Sequence, residues 1–79
     1  MKARIIVTLR TGVLDPQGKA IESALKSFGL NGIGNVRQGK VFDVELEIAD
    51  RGEAETVLKS ACERLLANTV VENYTIELS

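Results

Sequence analysis

The stretch Gly12-Val-Leu-Asp-Pro-Gln-Gly-Lys-Ala-Ile21 marks the point at which the chain changes from a strand pattern to a helix pattern. Asp15 is a good helix N-cap, and Pro16 suits the first helical position, where its missing N–H costs nothing. Gly18 is unusual in a first turn, because glycine is about 1 kcal/mol less favourable than alanine inside a helix. A chain segment that closely approaches the backbone at Gly18, from a partner or from the same fold, would explain the glycine.

The hydrophobic pattern on either side of this stretch predicts a strand and a helix. Before it, apolar residues alternate with mostly polar ones, which is typical of a half-buried strand; the apolar set is Ala3, Ile5, Val7 and Leu9. After it, Ile21, Leu25 and Phe28 recur at helical spacing, and Gly29 is a candidate left-handed C-cap. We expect the first helix to run from Pro16 to Phe28.

The middle of the chain predicts a hairpin. A short strand over residues 33–38 is expected to turn at Gly39 into a longer strand over residues 41–48, because both segments lie beside turn-forming glycines. Phe42, Val44, Leu46 and Ile48 would share one face of the second strand.

The last third predicts a second helix and a final strand. Asp50 and Glu53 have the spacing of a capping box. An apolar stripe follows and ends near Asn68; it consists of Ala54, Val57, Leu58, Ala61, Cys62 and Leu65. Alternation returns over residues 70–78, where Tyr74, Ile76 and Leu78 would face the core.

The resulting β-α-β-β-α-β order predicts one α+β domain over residues 1–79. We expect a ferredoxin-like fold, in which a four-stranded antiparallel sheet carries both helices on one face. Arg4 and Arg10 would lie on the opposite face, across from the acidic residues Asp43, Glu45 and Glu47. This charged face is either solvated or a contact surface between subunits.

Composition excludes several classes of function. Ten basic against eleven acidic residues, with 4% aromatics, give no footprint for nucleic acid. The chain has no histidine and one cysteine, so it can form neither an internal disulfide nor a Cys/His zinc site. Its longest strongly apolar run is three residues, which predicts no membrane span, and its single thiol fits the reducing cytoplasm, where we place the chain. A core this small favours self-association, as a dimer or tetramer.

The sequence offers no catalytic, metal or cofactor site. Cys62 lies within an apolar stripe and has no histidine to activate it, so we interpret it as a packing residue. The glycines at 29, 32 and 34 follow a helix and do not form a dinucleotide-binding motif. Two interpretations stay open: a non-catalytic subunit of a larger enzyme, or an ACT-like module that binds amino acids beside Asp15-Pro16-Gln17-Gly18.

Three segments carry a resemblance to a known family. They are Arg10-Thr-Gly-Val-Leu-Asp-Pro-Gln-Gly-Lys-Ala-Ile21, Ala24-Leu25 and Val36-Arg-Gln-Gly-Lys40. In a chain of this length and element order, they resemble the PurS family, the small subunits of bacterial-type phosphoribosylformylglycinamidine (FGAM) synthase. The resemblance covers essentially the whole chain.

The resemblance implies a role in purine biosynthesis. In that family a glutaminase subunit releases ammonia, and a large synthetase subunit uses ATP and Mg to add it to formylglycinamide ribonucleotide. The small subunit binds no substrate or cofactor; it brings the two enzymes together and assists ammonia transfer. We expect the same here, with partner contacts at Asp15, Pro16, Gln17, Gly18, Arg37 and Lys40.

Overall fold

The alternating pattern at the start of the chain forms the central strand of the structure. The structure is a computed structural model that describes residues 1–79. Its elements are β1 (Lys2–Leu9), α1 (Pro16–Ser27), β2 (Gly39–Glu45), α2 (Arg51–Ala61), one π-helical turn (Cys62–Leu66) and β3 (Glu72–Leu78).

The sheet has three antiparallel strands in the order β2-β1-β3. Ile5 of β1 lies between Phe42 of β2 and Ile76 of β3, so the predicted apolar positions of the three strands share one face. Ile5 and Val7 are fully buried there. The predicted core face of the sheet is therefore confirmed.

The prediction of a fourth strand over residues 33–38, and of a hairpin at Gly39, is wrong. These residues form no strand, and the element order is β-α-β-α-β. One backbone group that a strand would pair is used elsewhere, because the N–H of Gln38 donates to the Asp15 carboxylate. The Val36 carbonyl oxygen lies close to Gly18. No strand of this chain pairs with the outer edge of β2.

Helix α2 packs on the sheet and completes the core. Ala54, Leu58 and Cys62 are buried at helical spacing, as the sequence predicts. The stripe fails at two positions. Val57 of α2 is 44% exposed, and Leu65 is 83% exposed because the π-helical turn adds a residue to the last turn of the helix. Ala67 is buried instead, and its N–H donates to the Cys62 carbonyl oxygen at 2.9 Å.

Helix α1 does not join α2 on the sheet, so the prediction of two helices on one face is wrong. No α1 residue belongs to the core or packs against it, and Gly18 is the one buried residue of this helix. The principal extents of 49 × 25 × 15 Å indicate an elongated chain. Residues 33–38 contact the first turn of α1 through Val36 and Gln38 instead of extending the sheet.

The predicted charge pairing across the open face of the sheet is half correct. Arg4 Nε lies 2.9 Å from Asp43 Oδ1. Arg10 lies beyond β1 and donates instead to the Thr69 carbonyl oxygen.

None of the helices has the length and the apolar content that crossing a membrane requires.

Candidate functional site

Asp15 connects two parts of the chain that are distant in sequence. Its Oδ1 accepts a hydrogen bond from the Gly18 N–H at 2.9 Å, which is the predicted N-cap. Its Oδ2 accepts from the N–H of Gln38 at 2.7 Å, 23 residues further on. The carboxylate therefore caps α1 and also attaches it to the segment that precedes β2.

Gly18 is a glycine because this chain's own backbone approaches it. A Cβ at this position would overlap the Val36 carbonyl oxygen and would lie 2.7 Å from Asp15 Oδ2. Gly18 has no positive φ, so the requirement is space and not conformation. Asp15, Gly18, Val36 and Gln38 form one cluster, which we call the Asp15 clasp.

The same region is attached to the body of the protein by two arginines. Arg37 Nη2 donates to the Arg10 carbonyl oxygen at 3.2 Å. The Arg10 guanidinium donates twice to the Thr69 carbonyl oxygen, at 3.2 and 2.7 Å, and the Arg10 N–H donates to Val71 at 2.8 Å. These bonds connect the segment before β2 to the end of β1 and to the turn before β3.

Lys40 of β2 and Glu72 of β3 form an ion pair across β1, near one end of the sheet. Lys40 Nζ lies 3.6 Å from Glu72 Oε2, and Glu72 Oε1 accepts from the Asn68 N–H at 2.7 Å. A cleft of about 230 Å³ lies beside them, and Asp15 and Gln17 line its other side.

The electrostatics of Asp15 follow from its hydrogen bonds. The N–H groups of Gln38 and then Gly18 stabilise the charged form, and with the more distant positive charge of Arg37 they lower the pKa of Asp15. Burial opposes this shift. Because its pKa lies below the ordinary aspartate value, this carboxylate is ionised at neutral pH.

The structure brings the six predicted contact residues into one region but gives them different environments. Asp15 and Gly18 are buried inside the chain's own fold. The other four are exposed at the surface around them: Pro16, Gln17, Arg37 and Lys40. A partner that binds this region would touch the exposed four, while the buried two support them.

The arrangement contains little that could perform catalysis. Cys62 is buried in the core, where burial first and the negative charge of Glu63 second raise the pKa of its thiol. No group of three or more cysteine and carboxylate side chains is placed to hold a metal ion. The region is suited to protein contact through exposed polar side chains on a fixed backbone.

Sequence reasoning missed the intramolecular partners of this region. The sequence leaves two explanations of Gly18 open, a partner or this chain's own fold, and the structure shows the second. Nothing in the sequence identifies the Val36 carbonyl oxygen as the group that approaches it. The strand pattern predicts that Arg10 faces the acidic residues of the sheet, whereas its partner is the backbone carbonyl oxygen of Thr69. A backbone acceptor has no signature in the amino-acid letters, so no sequence signal could have identified it.

Comparison with known proteins gives a consistent result over the whole chain. A family model described as PurS, phosphoribosylformylglycinamidine (FGAM) synthase, matches residues 2–79. The phosphoribosylformylglycinamidine synthase subunit PurS of Mycobacterium leprae is 51% identical over 75 residues, which cover 95% of this chain and 91% of that protein.

Solved structures show the same similarity in three dimensions. A chain in the structure of PurLQS from Thermotoga maritima superposes with a TM-score of 0.89 at 37% identity, covering 96% of this chain and 93% of that one. The Methanocaldococcus jannaschii PurS structure gives a TM-score of 0.87 at 34% identity, covering 96% and 92%. That protein is described as one of the subunits of formylglycinamide ribonucleotide amidotransferase in the purine biosynthetic pathway.

Proposed function

Because this chain belongs to the PurS family of FGAM synthase subunits, we propose that it joins the glutaminase and synthetase subunits of that enzyme and assists the transfer of ammonia between them. The match over residues 2–79, with relatives of similar length, carries this proposal. The similarity to a chain of PurLQS supports a role inside an assembly. We place the assembly in the cytoplasm.

The chemistry of the reaction belongs to the partners. We assign ATP and Mg to the synthetase subunit and the release of ammonia to the glutaminase subunit, and we assign no cofactor to this chain. The buried thiol of Cys62 supports this division, because its raised pKa keeps it neutral and poorly nucleophilic. The contribution of this chain is geometric: it holds two enzymes at a fixed distance.

The exposed residues around the Asp15 clasp form the proposed contact with a partner subunit. Arg37 and Lys40 offer positive charge, and Pro16 and Gln17 form an exposed first helical turn beside them. The clasp keeps the backbone beneath these residues in one conformation, which lowers the ordering cost of binding. Asp15 and Gly18 act as supports of this surface.

Self-association is the second part of the proposed function. Helix α1 and its C-cap present apolar residues at positions i, i+4 and i+7, which are Ile21, Leu25 and Phe28. Ile21 is 40% exposed and Phe28 75%. Leu30, just beyond the helix, is 48% exposed. An apolar stripe of this kind on a projecting helix is typical of an interface, and we propose a second copy of this chain as its partner.

The test is reconstitution of the complex from separately purified subunits. We expect this chain to co-purify with tagged synthetase and glutaminase, and glutamine-dependent FGAM synthesis to require it. Ammonia-dependent synthesis by the synthetase should depend on it less, since free ammonia needs no transfer. The isolated chain should show no glutaminase or ligase turnover. Full glutamine-dependent activity in its absence would refute the proposal.

A matched pair of variants locates the contact. Arg37→Gln and Lys40→Gln remove charge at the proposed surface, whereas Lys26→Gln removes an exposed charge at the far end of α1. We expect the double variant with Arg37→Gln and Lys40→Gln to co-purify less with the other two subunits, and Lys26→Gln to co-purify as wild type does. Equal binding by all variants would place the partner contact elsewhere on the molecule.

A further inference from the structure

Helix α1 is held to the rest of the protein at one end only. Its 12 residues span about 18 Å, and beyond Gly18 none of them is buried. The radius of gyration is 16.1 Å, whereas a compact chain of this length has a value of about 12 Å. The direction in which α1 projects is therefore determined by whatever fixes its first turn.

The Asp15 clasp is the structure that fixes that turn. The two carboxylate oxygens of Asp15 bind different segments, Gly18 within α1 and Gln38 before β2. The absence of a Cβ at Gly18 lets the Val36 carbonyl oxygen approach the helix backbone. Two bonds and one close contact, all within the first turn, leave α1 little freedom to rotate about its N-terminus.

Helix α2 provides an internal comparison. Asp50 caps α2 in the same way, with Oδ2 accepting from the Glu53 N–H at 2.8 Å, but it is exposed and bonds to no other segment. Helix α2 is instead held by Ala54, Leu58 and Cys62 in the core. The chain thus contains one capping aspartate that only caps and one that also attaches its helix to the body.

On the basis of the proposed self-association, we propose that Asp15 is a positioning residue whose carboxylate sets the direction of α1 and thereby places the apolar stripe of this helix for a second copy of the chain. Asp15 acts through α1 and contacts no partner itself. Asp15 differs from an ordinary N-cap because its second carboxylate oxygen, Oδ2, accepts from Gln38 and so attaches the helix to another segment.

Asp15→Asn separates the two roles. Asparagine caps a helix as well as aspartate, so Oδ1 can still accept from Gly18, but the amide N–H2 that replaces Oδ2 cannot accept from Gln38. We expect unchanged helix content by circular dichroism. The Gln38 amide should exchange with solvent at least about tenfold faster, and self-association should weaken about tenfold or more, since a hydrogen bond to a charged group is lost. Asp50→Asn should change neither quantity.

Gly18→Ala is a second variant that reaches the clasp from its other side. Its Cβ presses on the Val36 carbonyl oxygen while both Asp15 oxygens remain, and we expect the same two changes. Gly52→Ala is its control, because a Cβ there makes only an ordinary contact of 3.5 Å with Asp50. Unchanged Gln38 exchange in Asp15→Asn would overturn the inference. Faster exchange with undiminished self-association would overturn it equally.

Failure of the proposed function gives a different result. If the wild-type chain is monomeric, self-association is refuted, and small-angle scattering then decides the positioning role on the monomer. A radius of gyration that is the same in wild type and Asp15→Asn would mean that the carboxylate does not set the direction of α1. A radius of gyration that changes in Asp15→Asn but stays at the wild-type value in Asp50→Asn would support the positioning role of Asp15.

Discussion

Gly18 is the residue at which α1 meets the backbone of the segment before β2. Its position in a first helical turn is costly by helix propensity alone, and the cost is offset because the Val36 carbonyl oxygen occupies the space of a side chain. Gly18→Arg, which would be harmless at an open helix surface, would therefore disturb this chain's own fold. A loss of assembly in that variant would say nothing about partner contact.

Alanine substitution at the two helix-start glycines should have opposite effects on stability. Gly18→Ala should lower the free energy of unfolding by about 1–3 kcal/mol, because the added methyl overpacks against backbone. Gly52→Ala should raise it by about 0.5–1 kcal/mol, because its site has room and alanine favours the helix. Urea unfolding followed by circular dichroism measures both. Equal effects of the two substitutions would mean that Val36 moves aside freely.

Asp15 also makes stability depend on pH. Its folded pKa is lowered, mainly by the N–H groups of Gln38 and Gly18, so the charged form is favoured by folding. The stabilisation is fully present above the ordinary aspartate pKa of about 3.9 and is lost as pH falls through the lower folded value. We expect wild type to lose more stability than Asp15→Asn between pH 5 and the acid limit of about 2. Parallel pH profiles of the two proteins would contradict this.

At the scale of elements, the sequence predicts correctly the features that depend only on residues close together in the chain. Strand β1 alternates and lies at the centre of the sheet, and α1 begins at Pro16 after the Asp15 N-cap, as predicted. Gly29 has the expected left-handed conformation with φ +80°. The Asp50 cap is formed, and its Oδ2 accepts from the Glu53 N–H. These features depend on neighbouring residues, which the sequence displays directly.

The elements that were predicted wrongly depend on distant groups. The glycines and apolar residues of the 33–38 segment are compatible with a short strand. The Gln38 N–H, however, donates to the carboxylate of Asp15, which is distant in sequence. Leu65 fits the helical period of the α2 stripe, but a π-helical turn shifts the register by one residue. Neither a hydrogen bond from a backbone N–H to a distant side chain nor a π-helical turn has a distinct amino-acid pattern.

The π-helical turn predicts unequal roles for two leucines of one stripe. Leu58→Ala should cost about 2–5 kcal/mol of unfolding free energy, because Leu58 is 2% exposed in the core. Leu65→Ala should change it by less than about 0.5 kcal/mol, because Leu65 is 83% exposed. Denaturant unfolding of the isolated chain checks both. Similar costs would mean that the helix continues past Cys62 without the π-helical turn.

At the scale of the whole molecule, the ferredoxin-like prediction holds in its two-layer core and fails at one side. Strands β1, β2 and β3 with α2 form the core, while α1 projects and the β2 edge stays unpaired within the chain. The sequence could not reveal this, because Ile21, Leu25 and Phe28 have the same spacing whether a helix covers its own sheet or another copy of the chain. The amphipathic pattern specifies that a face is covered, not which molecule covers it.

Two surfaces compete as the site of self-association, and one pair of variants distinguishes them. Phe28→Gln removes the most exposed residue of the α1 stripe, whereas Val41→Gln removes an apolar side chain, 57% exposed, from the open sheet face. We expect light scattering to give a mass above the 8.6 kDa of one chain for wild type and Val41→Gln, and a mass shifted towards the monomer for Phe28→Gln. Dissociation by Val41→Gln alone would move the interface to the open face of the sheet, because α1 would then project without contributing to it.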